Sequence, residues 1–247
     1  MTPWRLLPFA FRGAAENMAV DEALLRLAAV PTVRFYGWRP GALSIGYAQD
    51  PPQGWKGPLI RRQTGGGAIW HEREVTYSVS GHEDGLAAKN DIRGLYTRAH
   101  TGIVAALAEF GIEARIREEG KPRGKDAPFS CFEKPAAGDV VVEGRKIAGS
   151  AQRRLRKRLL MHGSVMLAHD PRNGRGGTGI LDVLDQEVDA EDLAEALARG
   201  FAQGFGVPLA PGSLGEEEEA LAERLTLKYE SDAWTHRRDG REDDADV

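Results

Sequence analysis

The sequence predicts an α+β domain built on a mixed β-sheet, not a regular doubly wound fold. Strand-like and helix-like segments alternate irregularly in the first half, and hairpin signals appear in the second half. No internal repeat or long linker interrupts the chain, read as a single domain over residues 1–240 with an acidic, disordered tail at 241–247.

The elements follow in chain order. Two short apolar runs, Trp4–Phe9 and Phe11, open the chain. Glu16 to Leu27 has helical periodicity, with Met18, Leu24, Leu25 and Ala28 able to share a face. Thr32 to Trp38 is β-branched and aromatic and reads as a strand. Pro40-Gly41 is a turn before a strand over Ala42–Tyr47, and Leu59–Arg62 and Val75–Ser80 are further strands. Asp91 to Phe110 reads as a helix closed by Gly111. Lys121 to Asp126 is a polar, mostly basic loop leading to Cys131. Asp139–Glu143 and Lys146–Ser150 flank Gly144 as a hairpin, and Gly163–Ala168 is another strand. Asp189 caps a helix to Phe205 with a stripe of Leu193, Leu197 and Phe201.

Lys plus Arg is 33 and Asp plus Glu is 37, for a net charge of −4, so a whole-protein basic footprint for nucleic acid is absent. No apolar run approaches the roughly 20 residues a membrane helix needs. The N-terminus lacks a signal-peptide layout, so a cytoplasmic location is expected. The single cysteine excludes an intrachain disulfide and a Cys-rich zinc site. Alone, Cys131 reads as a small buried hydrophobe or as a reactive thiol, and its neighbours must decide.

Four segments carry possible chemistry. In Arg61-Arg62-Gln63-Thr64-Gly65-Gly66-Gly67-Ala68-Ile69-Trp70-His71, three glycines bare the backbone to a ligand, with Arg62 and His71 on either side. A glycine-rich surface hairpin explains the turn but not those flanking groups. Neither the phosphate-loop nor the dinucleotide spacing fits. In Gly144-Arg145-Lys146-Ile147-Ala148-Gly149-Ser150-Ala151-Gln152-Arg153, a lysine opens a strand. A strand lysine is usually a solvated edge residue, but Gly149, Ser150 and Ala151 leave room for a ligand. Ser130-Cys131-Phe132 lies fifteen residues before Lys146. An ammonium beside a thiol favours the thiolate, so the two would form an activated nucleophile if the fold brings them together. Met161-His162-Gly163-Ser164 offers a histidine that reads as pocket lining or a structural hydrogen-bonder.

Together these segments resemble the lipoate-protein ligase and octanoyltransferase family. The similar stretches are Glu16–Leu24, Arg34–Trp38, Ser44–Tyr47, Arg61–His71, Lys146–Arg153 and His162–Ser164, in the family's order, with Lys228-Tyr229 and Asp232–Trp234 like its tail. The resemblance implies a biotin/lipoate ligase fold: a mixed sheet with helices on one side and a smaller second sheet. It implies a tunnel for a medium-chain acyl group, with Arg62, Thr64, Gly65, Gly66, Gly67, Ala68, His71, Gly149, Ser150, Ala151, His162 and Gly163 binding substrate. Lys146 would sit at the acyl carbonyl. Cys131-Phe132-Glu133-x-Pro135 before Gly144-Arg145-Lys146 resembles the ligase-like, cysteine-dependent octanoyltransferase branch, although Ala136-Ala137-Gly138 replaces bulkier residues.

That branch implies octanoyl transfer in lipoate biosynthesis, from acyl carrier protein to a lysine of a lipoyl-domain protein such as the glycine-cleavage H protein. Cys131 would carry the acyl group, Lys146 would assist, and backbone N–H groups near Gly149 or Lys146 would stabilise the oxyanion. No metal or cofactor is expected. The rivals are an ATP- and Mg-dependent lipoate ligase, an amidotransferase between lipoyl domains, and a non-catalytic scaffold that binds lipoyl domains. Lys121, Arg123, Lys125, Arg153, Arg154, Arg156, Lys157 and Arg158 would steer acidic partners, or Arg153–Arg158 is only a solvated loop.

Overall fold

The computed structural model describes residues 2–86, 91–119 and 128–237. The first half contains β1 (Trp4–Arg12), α1 (Ala14–Leu27), β2 (Thr32–Trp38), β3 (Ala42–Ile45), β4 (Leu59–Arg61), β5 (Ile69–His71) and β6 (Glu74–His82). Then come α2 (Glu83–Leu86), α3 (Ile92–Glu109), β7 (Arg115–Ile116), β8 (Val140–Val142), β9 (Arg145–Leu155) and β10 (Arg158–Met166). The chain closes with α4 (Ala190–Phe205), β11 (Leu209–Pro211), α5 (Glu216–Glu230) and α6 (Asp232–Arg237).

Eight strands form a mixed sheet in the order β11-β1-β2-β6-β10-β9-β8-β7, and β4-β3-β5 form a second, smaller sheet. The pairs β11–β1 and β1–β2 are parallel, while β2–β6, β6–β10, β10–β9, β9–β8 and β8–β7 are antiparallel. The mixed sheet with a small companion is therefore as expected. The two apolar runs at the start are one strand, with its register broken between Leu7 and Ala10. Pro8 lies at that break and has no N–H to give to a ladder.

The sheet's two faces differ in chemistry. Val33, Phe35, Val75, Tyr77, Val79 and Met161 pack in one cluster with α3 and α4, through Leu95, Ile103, Leu107, Leu193, Leu197 and Phe201. Each of those helix side chains is fully buried, and such burial contributes roughly 1.5–3 kcal/mol apiece. The alternate residues, including Arg34, Tyr36, Thr76, Ser78, His162 and Ser164, are buried too, with α1 lying over them. Helices therefore cover both faces, correcting the one-sided arrangement expected. The reason lies in α1. Its periodicity marks one apolar face, yet every residue from Asn17 to Leu25 is buried. Its apolar side packs against α5 while Asn17, Asp21 and Glu22 find polar partners.

The remaining differences are local. Asp91 caps α3 from just outside it, and Asp189 caps α4 as expected, accepting from Asp192 N–H. The strand expected over Ala42–Tyr47 stops at Ile45, and β10 begins at Arg158 instead of Gly163. The supposed Arg153–Arg158 loop is the end of β9, a tight turn at Arg156-Lys157, and the first residue of β10. The Lys121–Asp126 loop and the 241–247 tail lie outside the described residues. Among the described residues no helix is long and apolar enough to cross a membrane.

Candidate active site

The geometry begins with a β-bulge. The β8–β9 hairpin turns through Glu143 and Gly144, both at positive φ (49° and 79°). Val142 then pairs with Arg145 and Val141 with Lys146, but Val140 pairs with Ala148. Ile147 is the extra residue. It and Ala148 both enter the core cluster, and Lys146 is turned toward the opposite face. Bulges beside functional sites commonly re-aim a side chain in this way. Lys146 is pinned by its own backbone as well: its N–H donates to Gly176 O at 2.9 Å, and its carbonyl accepts from Thr178 N–H at 2.8 Å.

The Lys146 side chain is only 2% exposed. Its Nζ lies 2.8 Å from Asp139 Oδ1, 3.4 Å from Cys131 Sγ and 3.4 Å from the Cys131 carbonyl oxygen. The Phe132 ring sits 4.9 Å away, close enough for a cation–π contact. Gly149 is what makes room, because a Cβ there would collide with Lys146 Nζ and Cε. The backbone donor expected at Lys146 is unavailable for an oxyanion, since Gly176 already occupies it.

Cys131 is tied to the glycine run. Its N–H donates to Ala68 O at 2.8 Å, and Ala68 N–H donates to Phe129 O at 2.7 Å. The Ser130 hydroxyl donates to the Asn173 carbonyl, and Gln49 Nε2 donates to Phe129 O at 2.9 Å. Phe132 is buried against Ile69 and Met166. The thiol, half-buried, therefore stands on a loop anchored at both sides.

Inside the run, Arg62 turns back on its own loop. Its guanidinium donates to Gly65 O at 2.9 Å, Gly67 O at 2.7 Å and Ser44 Oγ at 2.9 Å. Gly66 has φ +95°, which a residue with a side chain rarely adopts. Of the run, Arg62, Gly66, Ile69 and His71 line the cavity, but Thr64, Gly65, Gly67 and Ala68 do not. The resemblance implies that those four bind substrate; in the structure Gly65 O and Gly67 O hold Arg62, Thr64 meets His162, and Ala68 ties the thiol loop. Thr64 Oγ1 contacts His162 Nε2 at 2.5 Å, and His162 Nδ1 lies 3.2 Å from Asp21 Oδ2. Asp21 also accepts from Arg34 at 2.9 Å, Tyr36 at 2.8 Å and Ser78 at 2.8 Å. Burial pushes its carboxyl up, but Arg34's charge and the hydrogen bonds outweigh that and hold it below the usual range.

A cavity of about 540 Å³ joins these parts, within the range of about 300–1,000 Å³ typical of small-molecule sites. Cys131, Lys146, Gly149, Ala151, His162 and Gly163 line it. On this face the far wall is Met18, Tyr36, Trp38, Ile69 and His71. His71 stacks on Trp38 with centroids 4.0 Å apart, and burial lowers its pKa against the pull of Glu74. Ser150 also lines the cavity but faces the other way, toward Tyr77 and His100. Sequence reasoning missed Asp139, His100 and the Tyr36–Trp38 wall. The one available signal was an acid directly before three valines, where a buried charge demands a partner.

Residues 13–202 match the lipoyl protein ligase A/B catalytic domain. An octanoyltransferase LipM of Kyrpidia tusciae is 37% identical over 96% of this chain and all of the relative. The octanoyltransferase LipM of Bacillus subtilis is 31% identical, covering 95% of this chain and 98% of the relative. A lipoate-protein ligase A solved with ATP superposes with a TM-score of 0.79 at 24% identity, covering 95% of this chain and 99% of its own. A bipartite lipoate protein ligase from Thermoplasma acidophilum gives 0.75 at 23% identity, over 96% and 97%. The two structures share the fold.

Proposed function

The chain belongs to the lipoyl protein ligase A/B catalytic-domain family, and we propose that it transfers its acyl group through a thioester on Cys131. It is an octanoyltransferase of lipoate biosynthesis, as its full-length relatives are. The ATP-dependent ligase alternative is not favoured.

The observation that carries the thiol route is the 3.4 Å separation of Lys146 Nζ from Cys131 Sγ in a buried pocket. An ammonium there favours the thiolate, the nucleophilic form. In the first half-reaction the thiolate attacks the octanoyl thioester carbonyl carbon. The oxyanion forms beside the Lys146 ammonium, the C–S bond to the donor breaks, and the departing thiolate takes a proton from Lys146. Cys131 now holds the octanoyl group, and Lys146 is neutral. In the second, the neutral amine of an acceptor lysine attacks that thioester, gives its surplus proton to Lys146, and expels the Cys131 thiolate. Net, thioester plus amine become amide plus thiol, and the enzyme is restored. Asp139 holds the Lys146 amine in register. The Tyr36, Trp38, Ile69 and Met18 wall takes the acyl chain.

The acceptor is a lipoyl-domain protein, with the glycine-cleavage H protein as the form proposed, and the donor is acyl carrier protein in the cytoplasm. No metal, ATP or other cofactor is required, because the thioester is already activated. Incubation with octanoyl-acyl carrier protein followed by intact-mass measurement tests this. An octanoyl adduct is expected on the wild type and absent from Cys131→Ser. ATP-dependent acyl transfer by Cys131→Ser at wild-type rate would sink it.

A further inference from the structure

β8 pairs with β9 only from Arg145 to Ala148, so from Gly149 onward β9 has no neighbouring strand on that side among the described residues. The cavity passes around this free edge. On one side lies the aromatic wall beneath α1; on the other, a polar compartment against α3, formed by Arg93, Tyr96, Thr97, His100, Ala137 and Ser150. Gly138 and Asp139 mark the junction, since Gly138 O bonds His100 and Asp139 bonds Lys146.

The chemistry of this compartment is fixed by its hydrogen bonds. A carbonyl can only accept, so His100 Nδ1–H donates to Gly138 O at 2.6 Å. Burial drives His100 down to about 4, so it is neutral and its Nε2 accepts from the Ser150 hydroxyl at 2.5 Å. Tyr77 then donates to Ser150 Oγ. Ser150 has no proton left to give and offers one remaining lone pair. Thr97 has likewise given its proton to Arg93 O at 3.1 Å. The Tyr96 hydroxyl has no partner among the described residues. The compartment thus presents acceptors for N–H groups, one free hydroxyl for a C=O, and an exposed cation, Arg93, at its rim. A lysine ammonium would meet that cation; an amide chain ending in a phosphate suits all of it.

A thioester has two arms that leave its carbonyl in opposite directions, and the cavity's lining divides between the α1 and α3 faces at Gly138 and Asp139, where Asp139 meets the Lys146 amine beside Cys131. We propose that the α3 compartment binds the thiol arm of the acyl donor, an amide-bearing chain of the pantetheine type, carried by a protein or by coenzyme A. The inference rests on the octanoyl-thioester reading above and assigns the donor's second half a place.

The test uses the S-octyl thioether of pantetheine, which cannot transfer an acyl group, titrated calorimetrically into the full chain. It is expected to bind about tenfold more tightly than S-octyl-N-acetylcysteamine, whose arm ends short. Thr97→Trp, at an exposed helix position, should abolish that advantage while leaving the short ether within about twofold. Tyr96→Phe, a milder change, should reduce it about threefold. An unchanged ratio in both variants, or equal losses for both ethers, overturns the proposal. The S-octyl ethers of coenzyme A and of a holo-carrier protein identify the source by which binds more tightly; insensitivity of both to Thr97→Trp also overturns it. Because the probes have no reactive carbonyl, the ratio decides the subsite even if no octanoyl adduct forms on Cys131, the outcome that defeats the thiol reading instead.

Discussion

Two buried ionic clusters sit under the same cavity and are built differently. At the centre of the sheet Asp21 is saturated, with Arg34, Tyr36, Ser78 and His162 around one carboxylate. At the β8–β9 hairpin Lys146 meets, among the described residues, the Asp139 carboxylate, and beyond it a sulfur and a carbonyl at 3.4 Å. The first arrangement leaves no valence for a substrate and fixes α1 to the sheet. The second holds a charge at a distance from which it can move a proton or meet an oxyanion. A closed network around one carboxylate specifies structure, while an ammonium beside a thiol retains chemical capacity.

The difference predicts separable failures. The largest is expected at the Lys146 cluster. Lys146→Met should lower octanoyl transfer by about 10²–10⁴-fold, the usual scale of a lost acid–base group, with the chain still folded by circular dichroism. Wild-type turnover in that variant would end the proposed role of Lys146. At the saturated cluster the effect should fall on stability. Asp21→Ala leaves the Arg34 guanidinium buried without its carboxylate, which costs about 3–5 kcal/mol in chemical denaturation. If it instead spares stability and removes activity, the two clusters are not distinct in kind.

His100 gives a smaller and pH-dependent effect. Its folded pKa of about 4 lies below the ordinary 6.5 because burial penalises the cation. The unfolded chain therefore binds more protons than the folded one between those values, and stability should fall as pH falls through this window. Taking one pKa unit as about 1.4 kcal/mol, lowering pH from 7 to 4.5 should remove roughly 2 kcal/mol through this group. His100→Gln should flatten that part of the stability profile; an unaltered slope would show that His100 is not the source.

Much of this was legible before folding. The α3 and α4 stripes, the β2 strand and the β8–β9 hairpin follow from periodicity and turn chemistry, because each is decided by residues near in sequence. The site was half legible. Cys131 and Lys146 could be named but not joined, since a fifteen-residue separation states nothing about distance. What joined them was a bulge at Ile147 and two bonds between Ala68 and the Cys131 loop, both tertiary facts. The glycine run was visible, but which of its residues face the cavity depends on Arg62 folding back onto Gly65 and Gly67. The polar side of α1 hid for a similar reason: Asp21 and Glu22 look like solvent residues until Arg34, Lys228 and Tyr229 arrive from distant segments.

The smallest effect sharpens the comparison most. Asp21, His162 and Thr64 stand in line, carboxylate to imidazole to hydroxyl, the order that activates a hydroxyl nucleophile in other enzymes. Here Thr64 is fully buried and does not line the cavity, so its oxygen cannot reach a carbonyl there. The same three groups are then a brace that orients His162, which does line it. Thr64→Val keeps the shape and removes the hydroxyl, so it should cost about 1 kcal/mol of stability, one net hydrogen bond, and leave kcat within about twofold. A collapse of kcat with stability intact would make the line a relay, and the saturated cluster would then belong to the chemistry and not only to its support.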